Sequence, residues 1–203
     1  YFQRPFSLRR LTPCLPISGA GKSGCVFSLP AWEAPNLGVH EDDYKVFLNK
    51  YFHYLGPVVD TYAYCLLPNH FHFLIRINEN ESDSGLTVSN QFRKLFISYA
   101  RRININRKRY GCLLTRNFRR IEIDSDAYLK NMIMYIHFNP VKHGIEKNFI
   151  LYPHSTFQDF FSDMPSQIKK QEVVEWFDGY PNFFNHHRII DINDLFRALG
   201  KDD

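Results

Sequence analysis

A strict two-residue alternation over His70–Ile77 constrains the fold of this chain more than any other feature. Phe71 and Phe73 fall on one side of an extended strand, and His70 and His72 fall on the other. The pattern predicts a strand whose apolar face covers the core and whose histidine face is exposed. Two neutral imidazoles on one face are good ligands for a divalent metal, although a solvated pair would have the same spacing.

The neighbouring segments predict a mixture of helices and strands. Apolar residues at helical spacing indicate a helix over 41–55, and β-branched and aromatic residues indicate a strand over 58–67. That strand forms a hairpin with the histidine strand. Further helices are predicted from Thr87 or Ser89, from a Ser125 cap to about Pro140, over 172–177 and over 191–199, with strand pieces between 113 and 123.

The length of 203 residues suggests one domain, or one domain plus an appendage. We predict an N-terminal segment over 1–40, with an expression-tag remnant at 1–3, a catalytic domain over 41–150, and a helical and aromatic extension of that domain over 151–203. No apolar run reaches the roughly 20 residues that span a bilayer, and no secretory signal is predicted. The four cysteines lack CxxC spacing, which favours reduced thiols and a cytoplasmic location.

Positive charge is concentrated in one segment. Residues 87–121 contain no acidic residue and ten of the 25 basic ones, so the rest of the chain is net acidic. A solvated helix face usually mixes both signs, whereas a segment of one sign favours a polyanionic partner such as nucleic acid. The candidate DNA-binding residues are Arg93, Lys94, Arg101, Arg102, Arg107, Lys108, Arg109, Arg116, Arg119 and Arg120.

A second motif, Tyr-Ile-His-Phe-Asn-Pro-Val at 135–141, follows the Pro-Asn-His-Phe-His motif at 68–72. Together they resemble the single-tyrosine HUH transposases, and more closely the REP-associated tyrosine transposase-like branch. The resemblance runs from about Tyr44 to about Phe184 and is carried by residues 64–72, 91–94, 111–114, 118–119 and 135–141. The chain departs from the family pattern in two places. Residues 1–40 show no counterpart of the family's first strand and its Asn-Arg-Gly-like turn. Thr115 stands where relatives often carry Gln.

The resemblance implies a fold, a reaction and a ligand set. The fold class is α+β, a ferredoxin-like antiparallel sheet with helices packed on one face. Tyr135 would be the nucleophile that cleaves single-stranded DNA through a 5′-phosphotyrosine link, and His70, His72 and Asn139 would hold a divalent metal, Mg²⁺ or Mn²⁺. The expected partner is single-stranded or hairpin DNA, without a membrane, and a homodimer is compatible with this reading.

Other readings remain open at this point. The chain could be a domesticated relative that binds a DNA hairpin without cutting it, or a metal-dependent hydrolase that uses water in place of Tyr135. Tyr135 could also be a core aromatic residue, and Asn139 an ordinary residue at a helix end. His137 and His143 are interpreted as structural or DNA-facing, and the pair at 186–187 as solvated.

Overall fold

The computed structural model describes residues 24–30, 40–78, 84–111, 113, 119–123 and 125–199, and gives the backbone alone for 24–30, 84–87, 119–122 and 198. Arg116, Thr115 and the predicted tag remnant lie outside the described residues. The described elements are β1 (Gly24–Pro30), α1 (Glu41–Leu55), β2 (Val59–Leu66), β3 (His70–Ile77), α2 (Ser84–Asn106), β4 (Arg119–Ile123), α3 (Asp126–Lys142), two short 3-10 helices (Phe149–Leu151 and Thr156–Phe161), α4 (Lys170–Trp176), α5 (Tyr180–Ile189) and α6 (Ile192–Leu199).

The four strands form one antiparallel sheet in the order β2-β3-β1-β4. With α1 between β1 and β2, and α2 between β3 and β4, the order of elements is that of a ferredoxin-like unit. The predicted α+β class is therefore confirmed. Strand β1 lies in the centre of the sheet, although the sequence did not predict it.

Helices α1 and α2 cover the phenylalanine face of β3. Phe71, Phe73 and Ile75 lie in one buried cluster with apolar residues of both helices, and the Tyr51 ring of α1 stacks on Phe73 with ring centroids 4.1 Å apart. The two-residue alternation is confirmed, because His70 and His72 lie on the opposite face with ring centroids 5.0 Å apart.

The prediction that the histidine face is exposed, with helices on one face of the sheet only, is wrong. Helix α3 packs against β2 and β3 on the histidine side, and residues of α4, α5 and α6 join the same buried cluster. The histidine face is covered because β2 and α3 are both apolar on this side. Ala63 and Cys65 of β2 lie opposite Leu74 and His72 and make this face apolar too. Helix α3 is buried at every position from Met132 to Pro140, as expected of a helix that is apolar all round.

The segment after α3 completes the second layer. Apolar residues of α4, α5 and α6 share a core cluster with α3 and β2, and the predicted domain limits at 40 and 150 stay predictions. Helix α2 begins at Ser84, earlier than predicted, and α3 continues past Pro140 to Lys142. Among the described helices, none combines the length and the apolar character needed to cross a membrane.

Candidate active site

The hairpin turn before β3 sets the orientation of His70. The Leu67 amide donates to the His70 carbonyl over 2.8 Å, and the Asn69 side-chain oxygen lies 2.7 Å from His70 Nδ1. An amide oxygen only accepts, so Nδ1 of His70 carries the proton. Nε2 is then left with its lone pair free, buried and without a hydrogen-bond partner. This arrangement, in which an outer oxygen fixes the tautomer, is typical of a metal-binding histidine.

His72 is more deeply buried, at 1% exposed, and neither of its ring nitrogens has a hydrogen-bond partner. Burial lowers the pKa of His70 to about 3 and that of His72 well below its usual value. The positive charge of Lys142 contributes to both pKa shifts. Both imidazoles are therefore neutral near pH 7, which is the form that binds a metal.

Helix α3 brings the predicted nucleophile to these imidazoles. Its first turn is capped by Ser125, whose Oγ accepts from the Tyr128 amide over 3.3 Å. It ends just before Gly144, which has φ +65°, a conformation that favours glycine after a helix. Between these ends, the Tyr135 ring lies edge-on to His72 with ring centroids 5.8 Å apart.

Asn139 follows Tyr135 by about one turn of α3 and is fully buried. Its Nδ2 donates to the Tyr135 carbonyl over 2.9 Å, which directs the amide and leaves Oδ1 buried without a hydrogen-bond partner. The side chain lies close enough to His72 to oppose the lowering of the His72 pKa. The structure thus brings together His70, His72, Tyr135 and Asn139, which the sequence separates by up to 69 positions.

The Tyr135 side chain is enclosed on several sides. It is 3% exposed, lies between His72 and Phe196 of α6, and its hydroxyl accepts from Lys142 Nζ over 2.6 Å. The sequence interpretation missed Lys142, because Pro140 was taken as the end of regular helix. The signal was its spacing, since positions seven apart lie on the same face of an α-helix.

Four buried polar atoms without partners lie at this site. They are His70 Nε2, His72 Nδ1, His72 Nε2 and Asn139 Oδ1. Leaving one buried polar group unpaired costs about 1–3 kcal/mol, and a bound metal or an ordered water that pairs with these atoms would remove that cost. No cluster of three or more His, Cys, Asp and Glu side chains with metal-binding geometry occurs within the described ranges, so the donor set here is two imidazoles and an amide oxygen.

Two other histidines have a structural role. His137 Nδ1 lies 3.0 Å from His187 Nε2, and His137 Nε2 lies 3.1 Å from Thr156 Oγ1. His187 Nδ1 donates to the Phe183 carbonyl over 2.8 Å, so a neutral His187 accepts from His137. The prediction of a solvated pair at 186–187 is wrong for His187, which is buried because α5 packs against α3.

This buried pair makes the stability of the protein sensitive to acid. Burial lowers the pKa of His187 to about 4, and that of His137 well below its usual value. The unfolded chain therefore takes up protons first, and stability is complete above about pH 6.5 and is lost as the pH falls toward 4. We expect His187 alone to account for about 3 kcal/mol of that loss.

Urea unfolding between pH 7.5 and 4.5 measures this loss as a decrease in the free energy of unfolding. His187→Gln is expected to have a flatter pH dependence than the unmodified chain, and a histidine NMR titration should show His187 neutral at pH 5. An equally steep decrease in the variant, together with a His187 pKa near 6.5, would contradict the assignment.

The predicted DNA-binding residues divide into groups with different surroundings. Exposed positions on or just after α2 are Arg93, Lys94, Arg101, Arg102 and Lys108. Arg107 instead pairs with Asp43 of α1, and Arg109 is half-buried. Arg119 and Arg120 lie on β4, where only the backbone is described. Because α2 covers the phenylalanine face, its exposed basic residues lie across the sheet from Tyr135.

Two known proteins resemble the chain, one in sequence and one in fold. A curated protein of Haemophilus influenzae, named for the REP-associated tyrosine transposases, is 33% identical to the chain over 103 residues. A solved structure titled for the REP-associated tyrosine transposase bound to a REP hairpin superposes with a TM-score of 0.61 at 18% identity, covering 78% of this chain and 88% of that one. The chain is similar to the REP-associated tyrosine transposases over about half of its sequence and in its fold. This confirms the resemblance that the two sequence motifs predicted.

The two comparisons differ in what they support. The aligned segment is 48% of this chain and 58% of the Haemophilus protein's length, so the match spans little more than half of that relative. The solved structure, at 18% identity, shows that the two chains share a fold. No family model matches the chain.

Proposed function

We propose that the chain is a metal-dependent enzyme that cleaves and rejoins single-stranded DNA, with Tyr135 as the nucleophile. The observation that carries the proposal is the concentration of unpartnered buried atoms on His70, His72 and Asn139 beside the Tyr135 ring. A core built only for stability has little reason to hold four such atoms, because each one costs free energy. Functional sites commonly carry this kind of cost.

The donor atoms fit a divalent transition metal. Two neutral imidazole nitrogens and one amide oxygen suit Mn²⁺ better than Mg²⁺, which prefers an all-oxygen shell. His70 Nε2, one nitrogen of His72 and Asn139 Oδ1 would hold the ion. When bound, a divalent cation acts as a Lewis acid on the scissile phosphate.

The chain's own residues supply the nucleophile and its orientation. The Tyr135 oxygen attacks phosphorus, the bond from phosphorus to the 3′ oxygen breaks, and the 5′ end stays on the protein as a phosphotyrosine. The phenolic proton passes to solvent, and the departing 3′ oxygen takes a proton from solvent. The bond energy is kept in the new ester, so a 3′-hydroxyl can later reverse the reaction. Helix α3 fixes the ring next to His72.

DNA recognition is assigned to the exposed basic residues of α2. The solved relative is described as bound to a REP hairpin, and we propose a hairpin with a single-stranded flank as the substrate here. Arg101 and Arg102 lie on the opposite face of the sheet from Tyr135. One DNA molecule can reach both only by passing around a sheet edge.

Replacing Arg101 and Arg102 together with Ala is expected to weaken hairpin binding about 10-fold or more, and to lower the salt slope by about one to two. The physical reason is the loss of two phosphate contacts with their released counterions. Fluorescence anisotropy at several salt concentrations measures both quantities. The matched control is Arg188→Ala, at an exposed position of α5 on the other side of the sheet. An unchanged salt slope in the double variant would show that this surface is only solvated.

The decisive test of the proposed reaction is covalent capture. The protein is incubated with a labelled hairpin that carries a single-stranded flank, with Mn²⁺ or with EDTA, and resolved on a denaturing gel. We expect a protein–DNA adduct with Mn²⁺ and none with EDTA. Tight binding without an adduct would favour the non-cleaving hairpin-binding alternative. Cleavage with a free 5′-phosphate would favour a hydrolase that uses water.

A further inference from the structure

Lys142 donates a hydrogen bond to the proposed nucleophile. Its Nζ lies 2.6 Å from the Tyr135 oxygen and 4.8 Å from the centre of the Tyr135 ring. The ammonium donates and the phenolic oxygen accepts. The contact is built into one element, because residues 135 and 142 are seven positions apart and lie on the same face of α3.

The surroundings of Lys142 strengthen this contact. The ammonium also lies 5.8 Å from the ring of Phe196 in α6, so two aromatic rings flank it. The residue is half-buried, and this burial lowers its pKa from the ordinary lysine value. Because water is partly excluded, a charge at this position acts more strongly on its neighbours than one on an exposed side chain.

Lys142 lies where it can act on both cleavage and rejoining. During cleavage, the bond from the Tyr135 oxygen to phosphorus forms while the bond to the 3′ oxygen breaks. During rejoining, the 3′ oxygen attacks phosphorus, and the electron pair of the tyrosine ester bond returns to the Tyr135 oxygen. The Tyr135 oxygen carries the phenolate charge as it begins its attack, and it regains that charge as the ester bond breaks in rejoining. A positioned cationic donor stabilises the charge at both stages.

We propose that Lys142 is an auxiliary catalytic residue, whose ammonium orients the Tyr135 oxygen and stabilises the negative charge on it during attack and release. This inference rests on the proposed function of Tyr135. Helix α3 then carries the nucleophile, a metal ligand and the cation that supports the nucleophile, all within eight residues. Pro140 lies inside this segment, and the helix continues through it for long enough to bring Lys142 onto the Tyr135 face.

The test compares single-turnover adduct formation at saturating hairpin DNA and Mn²⁺. Lys142→Met keeps the length and packing of the side chain and removes its charge, and we expect the rate to fall about 100-fold, as for the loss of one oxyanion donor. Lys142→Arg keeps a donor and a charge and is expected to recover most of the rate. Hairpin affinity and melting temperature should stay unchanged in both variants.

Lys130→Met is the matched control. Lys130 lies on the same helix, and its ammonium also lies over an aromatic ring, 5.6 Å from the centre of Phe177. Its loss removes a comparable packing contact without touching Tyr135, so the adduct rate should not change. If Lys142→Met destabilises α3, Lys142→Gln makes the same comparison with a polar and neutral side chain.

The possible outcomes distinguish the role of Lys142 from the proposed function of Tyr135. An unmodified protein that forms no adduct overturns the proposed function. An unmodified protein that forms the adduct, with Lys142→Met at the same rate, overturns the role of Lys142 alone. A variant with weaker hairpin affinity and a normal rate at saturation would mean that Lys142 binds a phosphate of the DNA, and this also overturns the proposal.

Discussion

Tyr135→Phe is expected to bind hairpin DNA like the unmodified chain and to lose at least about 10³-fold in covalent adduct formation. The substitution removes one oxygen and keeps the ring that packs between His72 and Phe196. The fold should therefore persist, with the loss of the hydrogen bond from Lys142 as the main structural change. A denaturing gel with end-labelled DNA measures the adduct, and anisotropy measures binding.

Tyr128→Phe supplies the matched control for this experiment. Tyr128 lies on the same helix, seven positions before Tyr135, and so lies on nearly the same face of the helix. We expect the Tyr128 variant to form the adduct at the unmodified rate. A Tyr135→Phe protein that still captures DNA would identify another nucleophile.

His72→Leu is expected to remove the response to metal without loss of stability in metal-free buffer. Both ring nitrogens of His72 are buried without partners, so an apolar side chain of similar size removes a cost of about 1–3 kcal/mol per unpaired group. In the unmodified chain, Mn²⁺ at about 100 times its dissociation constant should add about 2.7 kcal/mol of stability. The Leu variant should show neither this increase nor DNA cleavage.

Thermal unfolding with and without Mn²⁺ measures the stabilisation by the metal independently of catalysis. The control is His53→Leu, because His53 is an exposed histidine near the end of α1 and is remote from the proposed ligands. A His72→Leu protein that is still stabilised by Mn²⁺ would place the metal elsewhere. A large loss of stability in His72→Leu without metal would mean that the His72 imidazole stabilises the fold, so that its burial has no free-energy cost.

The sequence predicted the strand that carries the histidines, because a two-residue alternation is local. Helix α3 was equally readable from its Ser125 cap and its apolar positions. The error concerned the other side of the sheet. Alternation in β3 indicates which residues share a face, but it does not indicate what covers that face. The run of apolar residues from Met132 to Ile136 was the available signal that α3 is enclosed on several sides.

Other features depended on distant contacts. The sequence gives β1 only a short apolar run after a segment rich in Gly and Pro, and its place between β3 and β4 follows from pairing with both. Arg107 looked like its basic neighbours, yet it pairs with Asp43, which lies 64 positions earlier. His187 seemed solvated until α5 was placed against His137. Side-chain partners of this kind are set by tertiary packing and cannot be read from spacing.

The most direct measurement is mass spectrometry of the trapped protein–DNA adduct. Trypsin cleaves after Lys130 and Lys142, and the peptide between these sites contains one tyrosine, Tyr135. After the protein reacts with a single-stranded flank in Mn²⁺ and the DNA is digested with nuclease, we expect a nucleotide linked through its 5′-phosphate to this peptide. The modification should be absent with EDTA and from His72→Leu. A 5′-nucleotide on any other peptide, or cleaved DNA with a free 5′-phosphate and no modified peptide, would contradict the assignment of Tyr135.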